Sequence, residues 1–194
     1  MFKEEEFFIK IIFKNEIINK REIKSIDLEK LVAYSSSHLM LPCLYYKIKT
    51  KGYSSLFPKD FIDYIKKIYE INKNRNIRGI FEINELKKIM DKANIQYILL
   101  KGAALLVNNY YSDIGERMIF DIDFYLREED KGRVKKILSK NNYFKTDSIL
   151  FFENKHLQKR VKKNYLFGIE PHIKLLNKKN NLIKINFDSK SNFN

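Results

Sequence analysis

The octapeptide Ile119-Phe120-Asp121-Ile122-Asp123-Phe124-Tyr125-Leu126 alternates with a period of two. A strand with this pattern turns Phe120, Ile122 and Phe124 to one face and Asp121, Asp123 and Tyr125 to the other. Upstream, Ile95-Gln96-Tyr97-Ile98-Leu99-Leu100 is an apolar run of strand length, interrupted by Lys101-Gly102 and followed by a helix-like stretch to Tyr110. Downstream, residues 128–141 form an amphipathic pattern with Val134, Ile137 and Leu138 as its stripe, and strands are expected at 143–145, 149–153, 165–176 and 182–187. The first half reads as helical. Ile9, Ile12, Phe13, Glu16 and Ile17 follow a helical spacing with one polar intrusion, and Asp27 suits the cap of a helix carrying Leu28, Leu31, Val32 and Tyr34. A break is expected around Pro42 and a loop over 52–58. Pro58 then suits the first turn of a long helix carrying Phe61, Ile65, Ile68, Ile80, Ile83, Leu86 and Met90, with Asn94 ending it in the left-handed conformation. The plan is α+β, a mixed α/β sheet over 94–194 behind a helical N-terminal region over 1–93.

Composition bounds the possibilities. A chain of 194 residues with 44% hydrophobic and 14% aromatic residues can bury a real core, which excludes wholesale disorder. The single cysteine, Cys43, excludes an internal disulfide framework or a Cys-rich zinc module. The longest run without Asp, Glu, Lys or Arg, residues 31–46, falls short of the roughly 20 apolar residues of a membrane helix. Met1-Phe2-Lys3-Glu4-Glu5-Glu6 is too acidic for a secretory or transit signal, so a soluble, cytoplasmic protein with no membrane association is expected. The net charge of +14 is lopsided: residues 1–130 carry 22 basic and 20 acidic side chains, residues 131–194 carry 16 and 4. Such a basic third attracts polyanions, a triphosphate or a nucleic acid among them, although a solvated lysine face accounts for most of these side chains.

Asp121 and Asp123 are where chemistry is expected. Their Cα atoms stand about 7 Å apart on one face of the strand, and two carboxylates that close repel each other and cost free energy to desolvate. A divalent cation relieves both penalties, and Mg²⁺ is commonly held by one or two carboxylates together with substrate phosphates. An isolated Asp-x-Asp equally lines the polar face of an edge strand, so the neighbours matter. Lys101-Gly102 opens a helix, where free N–H groups and a close backbone approach suit an anion. Arg117 either contacts a phosphate or pairs with Asp113 or Glu116 to structure its loop. In Phe167-Gly168-Ile169-Glu170-Pro171-His172-Ile173-Lys174, alternation puts Glu170, His172 and Lys174 on one face. Glu170 offers a third carboxylate, as general base or as ligand of a second metal, and His172 orients a substrate or is an ordinary surface group. Pro171 implies an edge position or a bulge, and Asp188 is a rival third acid in more polar surroundings.

The ordered set resembles a family. IQYILLKGAALL, YYSDIGERMIFDIDFYLREEDKGRVKKIL and LFGIEPHIKLL, with LVAYSSSHLMLPCLY upstream, resemble uncharacterised nucleotidyltransferases of the DNA polymerase β-like superfamily, over about residues 28–176. The resemblance implies a polymerase β-like catalytic core over 94–194. It implies two Mg²⁺ ions held by Asp121, Asp123 and Glu170, a phosphate-binding turn at Lys101 and Gly102, and Arg117 and His172 nearby. The reaction implied is attack by a hydroxyl-bearing acceptor (a small molecule, RNA or protein) on the α-phosphate of an NTP, with release of pyrophosphate. A catalytically degenerate protein that binds RNA or a protein partner through its basic C-terminal third is the alternative. Four departures stand out: Ala103 follows Gly102 where Gly or Ser is usual, the Gly102–Asp121 interval is longer than in most of the superfamily although it fits this family, Glu170 replaces the usual Asp, and the chain stops soon after it. Acceptor recognition is therefore expected to be partly missing or supplied by a partner.

Overall fold

The computed structural model describes residues 3–14, 16–146 and 156–175. The chain divides into two compact units, Met1–Ile80 with Leu105–Ile119, and Phe81–Ala104 with Phe120–Asn194. Among the described residues no helix is long and apolar enough to cross a membrane.

The first unit is helical: α1 (Lys3–Phe13), α2 (Lys20–Lys24), α3 (Leu28–Ser37), α4 (Leu41–Thr50) and the part of α5 (Lys59–Lys92) up to Ile80. Local chemistry sets the boundaries. Asp27 caps α3 by accepting hydrogen bonds from the Glu29 and Lys30 amides, and Asn19 with Glu22 forms a reciprocal box at the start of α2. The break comes just before Pro42, at Leu39 with φ +59°; Pro42 itself lies in the first turn of α4, where no amide hydrogen is required. Phe7, Phe8, Ile11, Leu31, Leu44, Ile48, Phe61 and Ile65 form the core. Phe13 and Ile17, expected on the buried stripe, are 69% and 82% exposed because α1 ends at Phe13 and its buried face is Phe7, Phe8, Ile11 and Ile12.

Within this unit two buried asparagines one turn apart on α5 hold the 114–117 loop. Asn72 Nδ2 donates to the carbonyls of Gly115 (2.8 Å) and Arg117 (3.0 Å), and Asn76 Nδ2 donates to those of Ile114 and Arg117. Asp113 Oδ1 accepts the Gly115 amide at 2.7 Å, and Tyr69 packs against the glycine so closely that a Cβ there would lie 2.6 Å from its ring.

The second unit holds the sheet. α5 ends as its sequence predicts: Asn94 has φ +50° and the Ile95 amide donates to the Met90 carbonyl at 3.0 Å. The strands β1 (Tyr97–Leu99), β2 (Asp121–Leu126), β3 (Tyr143–Lys145), β4 (Arg160–Lys162) and β5 (Gly168–His172) form one five-stranded mixed sheet in the order β1-β2-β5-β4-β3. Helices α6 (Lys101–Val107) and α7 (Lys131–Lys140) fall between strands, the latter burying Val134 and Leu138. Ile122, Phe124 and Leu126 are buried on the apolar side of β2, whereas Phe120 lies outside the strand and is 51% exposed.

One strand is additional to those expected, and of the two alternatives raised by Pro171 the pairing shows an irregularity rather than an edge. β4 was not expected; it is three residues long with one buried side chain, too short for a period to show. β5 is not at an edge despite Pro171, for it lies between β2 and β4. The Pro171 carbonyl accepts from the Leu157 amide at 2.7 Å, so its nitrogen also faces that side and the ladder to β2 loses nothing. The irregularity sits in the facing chain: Arg160 pairs with Ile169 and His156 with His172, so four steps oppose three. The expected strands at 149–153 and 182–187, and Asp188, lie outside the described residues.

Glu82, 1% exposed on α5, accepts the amides of Leu166 (2.8 Å) and Phe167 (3.0 Å) and so fixes the approach to β5. Glu82→Ala leaves those amides without this acceptor and is expected to cost about 2–4 kcal/mol; urea denaturation reads it, and an unchanged midpoint refutes the clamp. Gly115→Ala forces a methyl into the Tyr69 ring while the asparagines hold the loop, with an expected loss of about 1–3 kcal/mol by the same measurement.

Candidate active site

The site is assembled in the second unit by the parallel pairing of β2 and β5. The register sets Asp121 beside Gly168, Asp123 beside Glu170 and Tyr125 beside His172. Because side chains alternate, Asp121, Asp123, Glu170 and His172 share one face. Ligand atoms of Asp123, Glu170 and His172 all lie within 4.8 Å of one another. Asp123 is 2% exposed and His172 6%, whereas Glu170 and Asp121 are half-buried.

Cations compensate the packed carboxylates. β1 runs antiparallel to β2, and the Leu100 amide continues the ladder by donating to the Asp123 carbonyl at 2.9 Å. Lys101 follows in the left-handed region with φ +49°, a conformation unusual for a residue with a side chain. Its Nζ donates to Asp123 Oδ1 at 2.6 Å, and His172 Nε2 lies 2.7 Å from the same oxygen. Lys159, immediately before β4, reaches Asp121 Oδ2 at 3.2 Å and Glu170 Oε1 at 3.5 Å.

These contacts separate the two aspartates. Burial pushes the Asp123 carboxyl up, but the hydrogen bonds from His172 and Lys101 outweigh it and hold the group below its ordinary value. Asp121 is raised, first by burial and then by the charges of Asp123 and Glu170, with Lys159 only partly offsetting them. Burial lowers Lys101, yet its bond to Asp123 and the surrounding carboxylates raise it overall. Carboxylates grouped with an imidazole in this way offer the oxygen-rich donor set that would suit a hard divalent cation.

The remaining sequence candidates are placed as follows. Gly102 lies in the first turn of α6, but the left-handed residue of that turn is Lys101. Arg117 belongs to the first unit. Neither acid expected to pair with it does so: Asp113 binds Lys73 at 2.8 Å, and Glu116 binds Lys47 at 3.4 Å. Arg117 Nε is buried without a hydrogen-bond partner among the described residues. Lys174 falls beyond the end of β5. Sequence reasoning missed Lys159, which sits outside every periodic element, and His156, whose ring centroid is 5.4 Å from that of His172. Gly168 was the available signal for Lys159, being a strand position without a side chain beside two acids.

No match was found among the curated proteins or among the solved structures. A family described as uncharacterised nucleotidyltransferases matches residues 24–191, a span that contains both aspartates, Glu170 and the whole sheet. By that match the chain belongs to the uncharacterised nucleotidyltransferase family.

Proposed function

We propose that the protein is a Mg²⁺-dependent nucleotidyltransferase, built on a polymerase β-like core, that moves NMP from an NTP to a hydroxyl-bearing acceptor in the cytoplasm. The observation that carries the reading is the β2–β5 register, which aligns Asp123 with Glu170 and gathers their ligand atoms with that of His172 within 4.8 Å. Asp121, Asp123 and Glu170 would hold the metals. Mg²⁺, when bound, neutralises triphosphate charge and promotes ionisation of the attacking hydroxyl.

The chain's own groups divide the remaining work. His172 and Lys101 both bond Asp123 Oδ1 and fix the carboxylate's orientation. Lys101 and Gly102, at the start of α6, are assigned to the triphosphate. The acceptor oxygen forms a bond to the α-phosphorus, the bond to the pyrophosphate oxygen breaks, and pyrophosphate departs with the electron pair. The hydroxyl proton passes to Glu170, the carboxylate that the β2–β5 register sets beside Asp123.

Asp123→Asn is the direct test. Wild type is expected to release pyrophosphate from at least one NTP with Mg²⁺ and an acceptor, and the variant to lose about 10²–10³-fold. Mg²⁺ with that NTP at about 100 times its Kd is expected to stabilise wild type by about 2.7 kcal/mol in thermal unfolding. No shift and no turnover with any of the four NTPs overturns the reading. RNA or partner binding that survives Asp121→Asn and Asp123→Asn, without turnover in wild type, points instead to a binding protein.

A further inference from the structure

Lys159 reaches the carboxylate face by a route that its neighbours leave open. Opposite Asp121, β5 presents Gly168. A Cβ at Gly168 would lie 2.4 Å from Lys159 Cε and 3.3 Å from its Cγ, so the lysine stem runs through space that any other residue would fill. The lysine's backbone is pinned at its base. Its carbonyl accepts the Thr146 amide at 3.1 Å, and the adjoining Arg160, 3% exposed, donates to Ser139 Oγ (2.8 Å) and the Tyr143 carbonyl (3.0 Å).

The ammonium therefore stands 3.2 Å from Asp121 and 3.5 Å from Glu170, the two acids flanking Asp123 on the sheet face. A divalent cation shared by that pair needs both oxygens at about 2.1 Å, in the space Nζ occupies. Ammonium and metal exclude each other there. The lysine stem is flexible and its side chain is 35% exposed, so Nζ can withdraw toward solvent without disturbing Arg160.

Resting on the metal-dependent reading above, we propose that Lys159 is an internal counter-ion: a positioning residue that holds Asp121 and Glu170 together before metal binds and competes with the divalent cation for them. Gly168 is the gap that lets it do so. The lysine thereby sets the metal concentration at which the second cation position fills, independently of any nucleotide.

The test measures Mn²⁺ binding to the full chain without nucleotide, following free Mn²⁺ by electron paramagnetic resonance. Removing an ammonium that must withdraw to about 4 Å from the ion before it can bind is expected to tighten binding about tenfold in Lys159→Met. Gly168→Ala, which displaces the lysine stem but keeps its charge, is expected to shift affinity in the same direction. In metal-free buffer Lys159→Met is also expected to melt below wild type, with Mn²⁺ restoring more than it adds to wild type. A lysine that is merely structural lowers the melting temperature and leaves Mn²⁺ affinity unchanged. Equal or weaker affinity in Lys159→Met overturns the proposal while leaving the metal-dependent reading intact. Absence of Mn²⁺ binding in wild type and both variants overturns the two together. If Gly168→Ala fails to fold, Lys159→Met decides alone.

Discussion

Like charges laid side by side on adjacent strands govern this sheet. The parallel register of β2 and β5 sets Asp123 against Glu170, with Asp121 two residues along the same face. Carboxylates at that spacing, largely withdrawn from water, are stable only with positive charge among them. Lys101 and Lys159 come from two separate segments to provide it, and His172 adds a ring nitrogen 2.7 Å from Asp123 Oδ1. A sheet arranged for stability alone gains nothing from such a cluster. Its presence inside a family of nucleotidyltransferases makes nucleotidyl transfer the general chemistry of the chain.

Supporting contacts hold the acidic strands in place. Glu82 ties the segment before β5 to α5, and Arg160 ties β4 to α7 and β3 through Ser139 and Tyr143. Burial lowers the Arg160 pKa, yet the guanidinium stays charged and spends its donors on fixed acceptors. Charged groups so deeply buried are informative because a hydrophobic replacement would pack as well. Here they set the register and the path of the backbone beside the carboxylates.

Much of this was legible in the residue order. Period-two alternation put Asp121 and Asp123 on one face and Ile122 and Phe124 in the core, and capping chemistry at Asp27 and Asn94 marked helix boundaries correctly. Glu170 and His172 were readable as a same-face pair. What escaped notice depends on contacts between distant segments. β4 is too short for its pattern to show, and the central place of β5 was hidden by Pro171, whose missing donor is harmless only because of which side its nitrogen faces. Lys159 could not be distinguished from the many other lysines of a basic C-terminal third. Arg117 was read through its local acids, but Lys73 and Lys47, remote in sequence, had already taken them.

The discontinuity of the helical unit bears on how the polypeptide emerges from the ribosome. Asn72 and Asn76 sit on α5, but the carbonyls they serve belong to residues 114–117, which are synthesised some forty residues later. Until then two amides destined for the interior must remain hydrated, although every residue of the core from Phe7 to Tyr69 has already been made. Strand β1, which lies between those two points in the chain, is therefore translated before the 114–117 loop can be seated on α5. Maturation of the two units is interleaved rather than successive.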